Sequence, residues 1–201
     1  MSRVIVFLRA PELGRVKSRL AATVGPTQAL AIYRELLAIT LTTLRAHPKV
    51  ELRVTPDVAA TGGEPLLQPG WRRTPQGDGN LGERLERAVQ DAFAAAPTPV
   101  VLIGCDCPEL TEDDLLEAGR LLATRDVVFG PATDGGYWLI GLKRPMPELF
   151  RGISWGTSRV LPQSLDSAQR LGLNWGLLRE LDDIDTEADW QAWRARRNTE
   201  P

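Results

Sequence analysis

The sequence predicts an α/β fold, a mostly parallel sheet with helices on both faces. Two observations carry this. Short, nearly continuous apolar runs recur along the chain, and longer segments with apolar residues three and four apart separate them. No internal repeat or low-complexity linker interrupts the alternation, and 201 residues suit one domain over residues 1–201.

The elements follow in order. Arg3 to Leu8 is a β-branched and apolar run, the pattern of a strand covered on both faces. Pro26 stands at a first helical position, and Leu30, Tyr33, Leu37, Leu41 and Leu44 then mark one apolar helix face. Val50 to Thr55 alternates apolar and polar and reads as a strand, whereas Asp57 to Gly79, rich in Gly and Pro, reads as a long loop. Leu81, Leu85, Ala88, Val89, Ala92, Phe93 and Ala96 form a second helical stripe. Pro99 to Gly104 is the strongest buried-strand signal. Thr111-Glu112-Asp113-Asp114 opens a helix as a capping box, and Thr186-Glu187-Ala188-Asp189 opens the last one, which carries Trp190 and Trp193. Asp126 to Gly130 and Tyr137 to Leu142 are short strands, and Val160, Leu161, Leu165, Ala168 and Leu171 mark a further helix.

Composition narrows the function classes. With 24 basic and 26 acidic residues the net charge is -2, which gives no electrostatic reason to expect a duplex nucleic acid or a membrane surface as partner. No apolar run approaches the roughly 18 residues of a membrane span, and the first apolar run is too short for a signal-peptide core. Cys105 and Cys107, two apart on an extended chain, are poorly placed to bridge each other. With His47 the lone histidine, a structural zinc site is implausible. Two reduced thiols suit a cytoplasmic protein.

In such sheets ligands bind outside the carboxyl ends of the strands, and five segments place polar residues there. After the first strand, a turn holding Pro11 and Gly14 leads to Arg15, Lys17 and Arg19. A helix starting near Arg15 would turn its positive end and these cations toward a di- or triphosphate. Asp106 emerges after Gly104 at the end of the strongest strand, where a carboxylate can hold a hard divalent cation. In Asp134-Gly135-Gly136-Tyr137-Trp138 the glycine pair makes a turn and lets a ligand approach the backbone, with Tyr137 and Trp138 as a wall for a sugar or base. Asp182, Asp183 and Asp185 repel one another unless a cation or a cap relieves them. Gln76 and the glycine-rich run to Gly82 offer amides to a base or ribose. Trp155, Trp175, Trp190 and Trp193 read as core or lid packing.

Together these segments resemble a bacterial family related to GT-A glycosyltransferases and long catalogued as a domain of unknown function. The resemblance rests on Pro11-x-x-Gly14-x-x-Lys17-Ser18-Arg19-Leu20, Gln76 with Leu81-Gly82-Glu83-Arg84, Gly104-Cys105-Asp106-Cys107-Pro108 and Gly130-Pro131-Ala132-x-Asp134-Gly135-Gly136-Tyr137. It continues through Ile153-x-Trp155-x-Thr157 and Leu181-x-Asp183-Ile184-Asp185-Thr186. Some members are described as glycosyltransferases of arsenosugar-type pathways. The same logic resembles the molybdenum cofactor and phospholactate guanylyltransferases. The resemblance implies a single-domain GT-A-like nucleotide-diphospho-sugar transferase fold, with Lys17 and Arg19 near phosphates and Asp106 on Mg2+ or Mn2+. A strict Asp-x-Asp is absent, so Asp185 or Asp183 is the expected second metal ligand.

The expected activity is transfer of a sugar from a nucleoside diphosphate sugar to a small acceptor, with Lys17 and Arg19 helping the nucleotide leave and Asp134 acting on the acceptor hydroxyl. The rival is nucleotidyl transfer from a nucleoside triphosphate to a phosphorylated metabolite. A non-catalytic nucleotide-binding module is the third reading.

Overall fold

The computed structural model describes residues 2–60, 68 and 70–198. One sheet is built from β1 (Arg3–Arg9), β2 (Val50–Thr55), β3 (Arg72–Pro75), β4 (Val100–Ile103), β5 (Val127–Pro131), β6 (Tyr137–Leu142) and β7 (Trp175–Leu177). Their order is β3-β2-β1-β4-β6-β5-β7, and β6 alone runs against its neighbours β4 and β5. The helices are α1 (Ser18–Val24), α2 (Pro26–Thr43), α3 (Leu81–Ala95), α4 (Glu112–Thr124), α5 (Val160–Arg170) and α6 (Glu187–Arg197).

Both faces of the sheet are covered, as the apolar runs require. Val4, Val6 and Leu8 of β1 pack with Tyr33, Leu37 and Leu41 of α2 and with α4, whereas Ile5 packs on the other face with Leu85, Val89 and Ala92 of α3. The opposite side of α2, Ile32 and Leu36, buries Trp190 and Trp193 of α6 together with Leu20 of α1. That third layer explains why α2 is apolar around more of its girdle than one stripe. Both expected capping boxes form, Thr111 with Asp114 and Thr186 with Asp189, and Asn80 with Glu83 supplies another at α3.

Four features correct or add to the sequence reading. The stretch from Asp57 to Gly79 is not all loop, because Arg72–Pro75 pairs parallel with β2; residues 61–67 and 69 of that stretch lie outside the described residues. Strand β3 has no apolar run to announce it: Arg72 is instead held by ion pairing to Glu51, and Thr74 donates to Glu51 Oε1 at 2.8 Å. The alternation in β2 does not mark a wet face either. Glu51 and Arg53 are 1% and 4% exposed, and Arg53 Nε lies 2.6 Å from Glu51 Oε1 while its Nη2 reaches Asp91 Oδ2 at 2.8 Å. Third, β7 is a three-residue edge strand, and Trp175 on it is 38% exposed rather than core. Fourth, the first helix begins at Ser18, not near Arg15, and has only seven residues.

Candidate active site

A cavity of about 710 Å³ opens over the carboxyl ends of β1 and β4. Its chemistry starts from Lys17, the residue just before α1, which adopts left-handed backbone angles of φ 47° and ψ 55°. For a side chain bearing a Cβ this conformation is strained by about 1 kcal/mol or more. It drives the lysine inward: its side chain is 5% exposed, with Nζ 2.5 Å from Asp106 Oδ1 and 3.0 Å from Asp185 Oδ1. Arg19 Nη1 lies 3.3 Å from Asp185 Oδ2. Burial alone would lower the Lys17 pKa, but the Asp106 and Asp185 carboxylates raise it above the ordinary lysine range, so the ammonium stays charged.

Backbone hydrogen bonds bring these distant segments together. Ile184 N–H donates to the Asp106 carbonyl at 2.9 Å, which holds the segment carrying Asp183 and Asp185 beside the exit from β4. Leu181 N–H donates to Pro131 O at 3.0 Å and Thr133 N–H to Leu181 O at 3.1 Å, which draws the same segment toward the β5–β6 hairpin. At that hairpin Asp134 Oδ1 accepts from Gly136 N–H at 2.7 Å. A Cβ at Gly135, where φ is +88°, would strike the Ser158 backbone, so this turn requires glycine for its conformation and for close packing. Asp183 has no salt bridge among the described residues. Burial, with Asp134 and Asp185 nearby, pushes its carboxyl up to about 6.

The rim of the cavity is tied down from α2. The Tyr33 hydroxyl accepts from Arg9 N–H at 2.9 Å and donates to Arg9 O at 2.8 Å, while Cys105 Sγ lies 3.5 Å from it. Burial and the neighbouring Asp106 push the Cys105 thiol up to about 12, so it is neutral. Both cysteines are free and buried. Tyr33 was legible only as a stripe residue, and nothing in its spacing distinguishes an anchoring hydroxyl from a packed ring.

The other expected site residues fall into three groups. Lys17, Arg19, Asp106, Asp134, Asp183, Asp185, Gln76, Gly136 and Tyr137 line the cavity. Gln76 is 5% exposed, and its amide donates to Leu8 O and Arg53 O at 3.0 Å each, so those protons are used within the sheet. Pro11, Gly14 and Arg15 lie on the turn outside the cavity lining, and Arg15 pairs with Glu12 at 3.3 Å. Gly82 and Gly135 act in packing: a Cβ on Gly82 would sit 2.6 Å from both Phe150 O and Trp155 Nε1. Tyr137 and Trp138, successive residues of β6, face opposite sides of the sheet. Trp138 is 5% exposed and donates its indole N–H to Arg179 O at 3.2 Å, whereas Tyr137 is half-buried beside Trp155.

Sheet order, reversed β6 and a rim of lysine and carboxylates define the class: the chain has the nucleotide-diphospho-sugar transferase fold. A crystal structure from Desulfovibrio desulfuricans G20, provisionally named a nucleotide-diphospho-sugar transferase, superposes with a TM-score of 0.87 at 31% identity, covering 99% of this chain and 90% of that one. The profile of the family described as "Uncharacterized protein conserved in bacteria (DUF2064)" matches residues 39–157, and the chain belongs to that family. A 4-diphosphocytidyl-2C-methyl-D-erythritol synthase from Anaerococcus prevotii shares the fold at TM-score 0.62 and 11% identity, covering 98% of this chain and 96% of that one. A CMP:2-keto-3-deoxy-manno-octonic acid synthetase complexed with CTP does so at TM-score 0.55 and 13% identity, covering 100% and 99%. Among curated proteins no sequence matches the chain. The comparisons support a transferase. No described helix is long and apolar enough to cross a membrane.

Proposed function

We propose that the protein transfers a sugar from a nucleoside diphosphate sugar to a small acceptor in the cytoplasm. The observation that carries this reading is the convergence of Lys17, Asp106 and Asp185, from segments far apart in the chain, at one rim of one cavity. A cation-rich turn facing carboxylates suits a polyphosphate that brings its own divalent ion.

The donor chemistry at this rim suits Mg2+ or Mn2+. All the donors are carboxylate oxygens, which hard cations prefer. Asp183, pushed up to about 6 by burial beside Asp134 and Asp185, carries charge that the protein leaves uncompensated. Among the described residues no group of three or more is already arranged as a metal cage, and Lys17 lies between Asp106 and Asp185. A site of this kind fits an ion that arrives with its nucleotide rather than one held permanently. Asp106 with Asp183 or Asp185 would hold it, and it would supply positive charge to the diphosphate.

The chain's own groups do the rest. Lys17 and Arg19 neutralise the departing nucleoside diphosphate. Asp134, exposed at the hairpin with one oxygen engaged by Gly136, accepts the proton of the acceptor hydroxyl. The acceptor oxygen forms the new bond to the anomeric carbon, and the old C–O bond breaks with its electron pair leaving on the diphosphate.

The fold shared with a CTP-complexed synthetase favours a second reading, nucleotidyl transfer to a phosphorylated metabolite. One assay separates the two. Purified protein is incubated with Mn2+ and nucleoside triphosphates plus pooled sugar phosphates, or with nucleoside diphosphate sugars plus pooled alcohols. Release of nucleoside diphosphate supports glycosyl transfer, and metal-dependent release of pyrophosphate refutes it. The arsenosugar-type role and the guanylyl donor implied by the resemblance are settled by which alcohol and which base react.

A further inference from the structure

The two edges of the sheet are built differently. Strand β3, at one end, reads Arg72-Arg73-Thr74-Pro75, and charges with a proline on an edge block the approach of a further strand. Strand β7, at the other end, sits in Asn174-Trp175-Gly176-Leu177-Leu178, which holds neither charge nor proline. Its inner side is in use: Asp126 N–H donates to Asn174 O at 2.7 Å, Gly176 pairs with Val128, and Leu178 N–H donates to Phe129 O at 2.9 Å. Backbone groups of successive strand residues point to alternate sides. The N–H and C=O of Trp175 and Leu177 therefore point outward, where no strand pairs.

The side chains follow the same two-residue period. Trp175 and Leu177 pair with Val127 and Phe129, which pack on the α3–α5 face, whereas a Cβ on Gly176 would meet Leu121 and Arg125 on the α4 face. Trp175 and Leu177 thus stand together on one face, 38% and 44% exposed, and Leu171 at the end of α5 is 42% exposed. These are three of the seven large apolar side chains exposed among the described residues, gathered at one edge, and none of them lines the cavity. A hydrophobic edge left unblocked, in a sheet whose other edge is blocked, is a pairing surface.

We propose that β7 pairs antiparallel with β7 of a second copy of this chain, about a two-fold axis through Gly176, to make a homodimer with one continuous sheet. Trp175 of each copy then falls opposite Leu177 of the other as a hydrogen-bonded pair, and the two pairs use every outward N–H and C=O of both residues. Each pair also sets an indole against a leucine on the same face. The two Gly176 residues meet at the axis as the closely spaced pair, about 4.5 Å between Cα atoms, with no side chain between them. A slip of one residue would set outward groups against inward ones. A foreign extended strand would find the same backbone bonds, but a second copy brings its own Trp175 and Leu177 and so doubles the apolar contact. The axis also carries Glu180 of one copy toward Gly172 of the other, two residues from Arg170; both charges are exposed, and neither has an ion-pair partner among the described residues. The carboxyl ends of the two sets of strands point opposite ways, so both cavities stay open.

Sedimentation velocity on the whole chain, from about 1 to 300 µM, tests this. A contact of this small size predicts a weak dimer, with a dissociation constant in the micromolar range. Leu177→Lys places a charge at an exposed edge position; it should weaken the dimer by about tenfold or more and leave the melting temperature of the dilute protein unchanged. Gly176→Cys treated with oxidised glutathione should give a disulfide-linked dimer, because the pair at the axis lies within disulfide reach and the native Cys105 and Cys107 are buried. Trp175→Cys, whose two copies do not face each other, should cross-link far less. A wild type that stays monomeric throughout, a dimer that Leu177→Lys leaves intact, species larger than two, or cross-linking no better in Gly176→Cys than in Trp175→Cys each overturns the inference. Should Leu177→Lys fail to fold, the cross-linking comparison decides alone.

Discussion

Replacing Lys17 by Met should destabilise the protein by about 2 kcal/mol, a figure that follows from the geometry of the rim. The ammonium is buried, with carboxylate oxygens at 2.5 and 3.0 Å. A fully buried pair broken in this way would cost about 3–5 kcal/mol. Here Asp106 and Asp185 are 44% and 35% exposed, so water takes over part of their solvation and the loss is smaller. In a chain of 201 residues, 2 kcal/mol lowers the melting temperature by roughly 4–8 °C. Methionine keeps the left-handed backbone, so its strain remains. Lys17→Gly loses the same ion contacts and relieves φ 47°, but it also empties the space of a side chain that is 5% exposed, so it should lie about 1 kcal/mol or more below the Met variant. Because the folded pKa of Lys17 is raised, its contribution is complete below about pH 10.5 and fades only as pH rises past that value. Thermal denaturation followed by circular dichroism at pH 7.5 measures all three proteins. A Met variant as stable as the wild type, or a Gly variant more stable than Met, would refute the account of a buried residue held by two carboxylates.

Three further outcomes are expected. Asp183 has a folded pKa of about 6, above the 3.8 of a free aspartate, so the native state loses stability as pH rises from about 4 through 6. Asp183→Asn should therefore gain about 1 kcal/mol at pH 7.5 after discounting for solvent, and nothing at pH 3.5; equal gains at both pH values would sink the charge argument. Gly135→Ala should lose about 2 kcal/mol or more in urea denaturation, because it strains φ +88° and meets the Ser158 backbone, and an unchanged midpoint would contradict the packing described. Gln76→Leu leaves the Leu8 and Arg53 carbonyls without their donor and should cost about 2 kcal/mol, checked by the same denaturation; a neutral result would mean that water replaces the amide.

The layered α/β architecture and most elements were legible, because buried parallel strands and amphipathic helices write their period directly into the sequence. The two edge strands were not. Arg72–Pro75 and Trp175–Leu177 are short and bury little, and the first is fixed by charges whose partners lie on β2, 21 residues away for Arg72 and Glu51. The buried Glu51–Arg53 pair defeats a polarity reading for the same reason: a charge is inside when its partner is inside, and the partner comes from tertiary structure. At the site, residue types announced Lys17, Asp106 and Asp185, but Pro11, Gly14 and Arg15 share the same turn and do not reach the cavity. A turn of unknown conformation cannot reveal which of its cations points inward, and here the left-handed angle at Lys17 decides it.

The hydrogen bond from Ile184 N–H to the Asp106 carbonyl makes the two acids that face Lys17 dependent on one another. Ile184 itself is buried beneath α1, α2 and α6, so a change in that apolar layer, far from any charge, would move Asp185 away from Lys17 and Arg19 and Asp183 away from Asp134 at the same time.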